Sequence, residues 1–213
     1  MKKFTKYILF ISLGLLCSCS DYLDIVPDNV TTLDIVFNNK NTAQRYLANC
    51  YHFVPDHGSV KRIPGMGAGH ECWFYTDKDS YFDNEVSFYI ARGLQNTNAP
   101  YANYWDGEGG SKLPMFRAIR ECNIFLSYVR DQHKVNDLTD SERKRWIAEV
   151  NVLKAYYHFF LFEHYGPIPI VDEALPVSTS SEGVKVTRMP VDQVVDFMVC
   201  LLYTSPSPRD QRG

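Results

Sequence analysis

The chain reads as an all-α protein built from pairs of antiparallel helices, as in helical-repeat folds, with irregular insertions between them. Three observations predict this. Apolar residues recur at spacings of three and four over 41–54, 112–130 and 139–165, which puts them on one face of a helix. No stretch of any length alternates apolar and polar residues as a half-buried strand requires. Capping and stop residues bound the periodic stretches. No internal repeat of fixed period accompanies them.

The N-terminus bears on location. MKKFTK carries Lys2, Lys3 and Lys6 and no acid, and YILFISLGLL comes next. Ten apolar residues are too few for a spanning helix, which takes about 20; a basic segment followed by a short apolar one is the pattern of a secretory signal peptide. The signal ends Leu16-Cys17-Ser18-Cys19, which resembles the lipobox of bacterial lipoproteins. Ser18 is the small residue that must precede the acylated Cys, and Leu16 before Cys17 is too large for that role. Residues 1–18 therefore read as a lipoprotein signal peptide and Cys19 as the lipidated first residue. Its acyl chains tether the protein to a membrane without spanning it, each buried methylene contributing about 0.8 kcal/mol.

Residues 19–40 read as an extended leader, since Pro27 and the Asp, Asn and Thr content disfavour a long helix. The helical domain is expected over 41–199. Its first helix, 41–54, carries Ala43, Tyr46, Leu47, Cys50, Tyr51 and Val54 on one stripe, with Asn41 or Thr42 as cap and Pro55 as stop. Residues 55–111 hold no long periodic run and are rich in Gly, Asp, Asn and aromatic residues. A loop of that length in a compact domain is usually functional, so short helices and turns near a binding surface are expected there. A second helix, about 112–130, tolerates Pro114 in its first turn and carries Met115, Ile119, Cys122, Leu126 and Val129. The third starts at the capping box Thr139-Asp-Ser-Glu142, buries Trp146, Val150, Leu153, Tyr157, Phe160 and Leu161, and stops at Gly166. PIPIVDEALPV is extended. A fourth helix begins near Pro190 with Val194, Val195 and Met198 facing inward.

After Val199 the pattern breaks. Residues 200–210, CLLYTSPSPRD, match the translation of a transposon-type sequencing adapter read through as codons. Residues 200–213 therefore read as foreign, the domain over 41–199 as incomplete, and the natural chain as continuing past Val199. Of 22 Lys+Arg, three fall in the signal and two in this tail; of 25 Asp+Glu, one falls in the tail, which leaves 19–199 near −7. That balance disfavours nucleic acid or an anionic lipid face as partner. Cys50, Cys72 and Cys122 remain, too few and too widely spaced for a disulfide framework or a CxxC metal site.

Several segments together resemble one family. The lipobox runs into SDYLDIVP; the first helix has the form AQRYLANCYHFV; Trp105 precedes LPMFRAIRECNIFL; ERKRWIAEVNVLKAYYHFFLFEHYGPIPIVDEAL and VTRMPVDQVVDFMV come after it. These resemble the SusD/RagB family of surface glycan-binding lipoproteins, most closely over 142–175. The resemblance implies tetratricopeptide-like helix pairs with ligand-carrying loop insertions, placed on the outer face of the outer membrane. It implies capture of oligosaccharides and their delivery to a SusC-like TonB-dependent transporter, with no reaction catalysed and no cofactor. Family chains are more than twice this length, so this would be the N-terminal part. Lys154 stands where the family usually has Arg, and Lys cannot make Arg's bidentate contacts.

Sugar recognition pairs aromatic faces with Asp, Asn and Arg, and the 70–106 insertion holds that alphabet. Trp73, Tyr75, Asp77, Asn103 and Trp105 are the candidate glycan-binding residues. Trp73 and Trp105 read equally as aromatic anchors of the core, Trp105 more so because it lies beside the second helix. Asp77, Asp79, Asp83 and Glu85 hint at a calcium loop but lack its Gly and spacing. No HExxH and no GxSxG occurs, and no catalytic carboxylate pair stands out, so neither metal site nor catalytic residue is assigned. A surface-anchored glycan-degrading enzyme and an adhesin-type lipoprotein are the competing functions.

Overall fold

The computed structural model describes residues 32–59, 64–69, 86–98, 100–108, 112–176, 178–180 and 182–203. The described residues from Asp34 on belong to one compact unit; Cys19 and most of the leader lie outside the described residues. The described elements are α1 (Leu33–Val36), α2 (Lys40–Tyr51), α3 (Pro64–Gly67), α4 (Val86–Ala91), α5 (Met115–Arg130), α6 (Asp140–Tyr165) and α7 (Val191–Tyr203). No strand occurs among the described residues, and no described helix is long and apolar enough to cross a membrane.

The central element is α6. The Thr139 hydroxyl accepts from the Glu142 N–H while the Glu142 carboxylate reaches back to the Thr139 N–H, so the expected capping box forms. Lys40 pairs with the same carboxylate; this hydrogen bond, with those from Thr139, holds Glu142 down at about 2. At the other end Gly166 stops the helix at φ 70, where a Cβ would be strained. The predicted stripe of Trp146, Val150, Leu153, Tyr157, Phe160 and Leu161 is buried. Ala148, Lys154, Ala155 and His158 are buried too, so α6 is enclosed on most of its circumference by α2, α5 and α7.

Packed against α6, α5 buries its whole predicted stripe together with Phe125. The carbonyl of Val129 near its C-terminus, which has no helical partner, and those of the loop after it are met by a buried cation. The Arg143 guanidinium donates to the carbonyls of Val129 at 2.6 Å, Asp131 at 3.1 Å, Lys134 at 3.0 Å and Val135 at 3.1 Å. A positive charge also suits the negative end of the helix dipole.

Four sequence expectations are corrected. The cap of α2 is Asn39, whose side chain accepts from the Thr42 N–H at 3.1 Å, because Asn39 holds the extended backbone that Asn41 and Thr42, already helical, do not. The helix ends at Tyr51; Tyr51 and Val54 are exposed and Phe53 is buried in their place. The end of the leader turns helical at α1 and plugs Phe37 between α2 and α5, stacked on Tyr128 at 4.5 Å. On α7, Val194 and Met198 face inward but Val195 is exposed.

Cys50 and Cys122 are free and fully buried. A hydrogen bond to Cys50, with burial, raises Cys122 far above the ordinary thiol range, which fits their expected role as small core residues. The Tyr157 hydroxyl donates to the Cys50 carbonyl at 2.5 Å and ties α6 to α2.

Candidate functional site

Between α4 and α5 the chain makes a turn that is built almost wholly from its own side chains. Tyr104 anchors it: the ring is buried against Phe160 and His164, at 4.9 and 4.7 Å, and its N–H donates to the Tyr165 hydroxyl at 2.9 Å. Its carbonyl accepts from the Met115 N–H at 3.0 Å, which joins the turn to the start of α5. The Asn103 side chain accepts from the Trp105 N–H at 3.1 Å and donates to the Asp106 carboxylate at 2.6 Å. Asp106 in turn accepts from the Glu108 N–H at 2.9 Å. Gly107, at φ 79, allows Pro114 to approach; a Cβ there would lie 2.7 Å from the proline nitrogen.

This turn presents Trp105. The indole is half-buried and packs on Phe116 at 4.6 Å and edge-on to Tyr165 at 5.5 Å, with the Arg188 guanidinium 5.2 Å over it. Trp105 forms one wall of a cleft of about 310 Å³, shared with Phe116, Arg120, Val171, Glu173 and Leu175. It therefore both anchors the turn and lines a cavity.

The opposite wall is the 169–175 stretch, and polar side chains from the helices pin it. Arg120 donates to the Leu175 carbonyl at 2.7 Å, and Asn123 to the Val171 carbonyl at 3.1 Å. From α6, Lys154 donates to the Asp172 carbonyl at 2.8 Å and to its carboxylate at 2.5 Å. A single ammonium thus spans backbone and side chain of one residue, a contact that needs no bidentate guanidinium. Burial lowers the Lys154 pKa, and the hydrogen bond to Asp172 opposes that. Beneath it His158, whose Nδ1 bonds the Lys154 carbonyl at 2.7 Å, is held neutral down to about pH 4 by burial.

Of the predicted site residues, Trp73, Tyr75 and Asp77 lie outside the described residues, as does most of the Asp77–Glu85 stretch's surroundings and the stretch itself. Asn103 and Trp105 come together in the turn, but only Trp105 lines the cleft; the Asn103 side chain shapes the turn itself. Arg120, Glu173 and Arg188 gave no signal in the sequence because single charged residues on a helix flank or in a loop carry no periodic pattern. A second aromatic feature, Tyr89 stacked on Tyr101 at 4.2 Å and 10°, was likewise invisible, since twelve residues separate the two rings. Among the described residues no cluster of His, Cys, Asp and Glu is arranged to hold a metal.

An aromatic wall with charged groups at its rim suits a ligand with C–H faces and hydroxyl edges. A SusD-like family model, described as "Starch-binding associating with outer membrane", matches residues 21–200. No curated protein matches the chain. Among solved structures, one named BT4246 aligns with a TM-score of 0.59 and 24% identity over 78% of this chain and 25% of its own. A SusD-like protein from Bacteroides fragilis aligns with a TM-score of 0.57 and 16% identity over 86% and 33%. A laminarin-binding SusD-like protein gives 0.59 and 18% over 83% and 37%. Likeness at these identities shows the fold, and the chain spans about a quarter to a third of the length of these structures. The chain belongs to the SusD-like family, and its all-α, tetratricopeptide-like architecture is that family's.

Proposed function

We propose that the full-length protein is a cell-surface lipoprotein of the outer membrane that captures oligosaccharides and passes them to a SusC-like TonB-dependent transporter, without cleaving them. The observation that carries this reading is the family match over 21–200, whose description joins starch binding to the outer membrane. The lipobox ending at Cys19 supports attachment through lipid, and the acidic balance of 19–199 disfavours a nucleic-acid partner. The Trp105 cleft supports sugar recognition because its lining combines an indole with the charged side chains of Arg120 and Glu173. Trp73, Tyr75 and Asp77 are proposed as further ligand contacts from the 70–106 insertion, with Asn103 holding the turn that presents Trp105.

One neighbouring structure is named for laminarin binding, so laminarin joins starch oligosaccharides at the head of the ligand panel. Titration calorimetry of the full-length protein against that panel, with chromatography for cleavage products, tests the reading. Binding with an unchanged glycan is the expected result. Cleavage products would instead make it a surface enzyme, and no binding to any glycan, with co-purification of no outer-membrane barrel, would favour an adhesin. Replacing Cys19 with Ala should abolish labelling by a radioactive fatty acid and release the protein from membranes.

A further inference from the structure

The second hollow of the molecule, where Val152, Phe159, Val195 and Val199 meet between α6 and α7, is apolar. The two thiols of the core lie elsewhere, in the seam between α2 and α5. Cys50 and Cys122 stand 72 residues apart in sequence, yet the fold sets them side by side. Their chain neighbours show it. Asn49 Nδ2 reaches the Glu121 carboxylate at 3.5 Å, and the Tyr46 hydroxyl, one turn before Cys50, donates to the same carboxylate at 2.5 Å. One residue further along each helix, Cys50 and Cys122 enter the core, where neither has any exposed surface. There the two side chains meet thiol to thiol, joined by a hydrogen bond. From α6 the Tyr157 hydroxyl closes over them, donating to the Cys50 carbonyl at 2.5 Å.

Sulfurs that already touch across two packed helices leave little to close before a bond of about 2.05 Å can form. Both are free in the structure, which is the reduced state of the pair. The compartment decides whether that state lasts, since disulfides form and persist in the bacterial envelope and at cell surfaces. The signal and lipobox ending at Cys19 route the chain there, so the inference rests on the export reading given above. In that reading the lipid occupies Cys19, and Cys72 is the remaining native thiol of 19–199. Once folded, the pair is inert, because burial and the mutual hydrogen bond disfavour the thiolate, which is the reactive form. Oxidation therefore belongs to the folding chain, before the core shuts over the sulfurs.

We propose that Cys50 and Cys122 close to a disulfide when the chain is exported, bolting α2 to α5 inside the core. The oxidant is the disulfide of an exported thiol oxidoreductase. One cysteine thiolate attacks it to form a mixed disulfide, and the second thiolate then displaces the oxidoreductase's sulfur. The two cysteine thiols give up two protons and two electrons, and the oxidant leaves as a dithiol. A cross-link that closes so long a loop restricts the unfolded chain strongly, so the oxidised protein is the more stable form.

The test uses full-length protein recovered from the cell envelope. Thiols are trapped in acid, alkylated in denaturant, and the protein is digested without reduction for mass spectrometry. The peptides bearing Cys50 and Cys122 should appear joined, lighter by two hydrogens than their sum. Acylated protein in which both cysteines are alkylated overturns the proposal, as does a disulfide from either one to Cys72. Fatty-acid labelling of Cys19 in the same preparation reports export separately. If that label is missing, the export reading has failed, and the pair is tested by refolding the full-length protein in a mixture of glutathione and its disulfide. The joined peptide should form there too, and two alkylated cysteines again overturn the proposal. Oxidised protein should also melt at a higher temperature than the same protein after reduction, with no such difference in Cys122→Ala. Equal melting of the oxidised and reduced forms overturns the bolting role.

Discussion

The two hollows on this molecule are built on opposite principles. Arg120 and Glu173 line the Trp105 cleft, Arg188 lies over its indole, and the cleft's wall is pinned by polar side chains reaching out of the helices. The α6–α7 groove has an apolar lining. The difference teaches how one helix serves two purposes. The ammonium of Lys154 leaves α6 toward the 169–175 wall, whereas Val152 and Phe159 leave it on the groove side.

Acid should separate the regions first and with the largest effect. His158 sits under Phe197 of α7, with the Lys154 carbonyl on its Nδ1 and the Lys154 ammonium and Asp172 carboxylate nearby. It is neutral in the fold until about pH 4, while the unfolded chain takes up its proton near 6.5. Its contribution is therefore full above pH 6.5 and is lost as pH falls toward 4, by about 3 kcal/mol. Denaturant unfolding of full-length protein at pH 7.5 and 4.5 should show the loss, and His158→Leu should flatten it; equal slopes in both proteins would remove His158 as its source.

The pinned wall is tested next. Asp172→Ala leaves the buried Lys154 ammonium with only a backbone carbonyl, and uncompensated buried charge costs about 3 kcal/mol. Lys154→Met instead removes the charge and fills the space, and leaves Asp172 free to be solvated, so it should cost clearly less. Melting curves showing the reverse order would mean that the pair does not govern the wall.

A smaller effect is expected in binding. Trp105→Ala should weaken glycan affinity about tenfold, close to 1.4 kcal/mol, while Phe159→Ala should leave affinity unchanged. Calorimetry with Trp105→Ala at full affinity would move the ligand away from the cleft. The smallest effect concerns α6 itself. Thr139→Ala removes the α6 cap and should lower stability by about 1 kcal/mol, read as a shifted denaturation midpoint with binding intact.

Much of the helical scaffold is legible in the sequence because periodicity and capping are local. Thr139 and Glu142 lie three residues apart and satisfy each other wherever the chain goes, and the stripes on α5 and α6 follow from 3.6-residue geometry alone. Expectation and structure part where a nonlocal contact decides the outcome. Asn39 caps α2 in a segment where the Lys40 N–H meets Asp137 at 2.8 Å, across 97 residues. Tyr51 sits on an apolar stripe in sequence but faces outward because Phe53, past the end of the helix, fills the core instead.

The site divides along the same line. By itself the sequence determined the all-α class, the family resemblance and the aromatic, acidic character of the insertion, since these are properties of composition and short-range pattern. Only the tertiary structure decided that Asn103 shapes a turn while Trp105 lines a cleft. It alone brought Arg120, Asn123 and Lys154 onto the 171–175 backbone. Those partners are separated by 18 to 55 residues, and no local rule of propensity or spacing reaches that far; packing α5 and α6 side by side does.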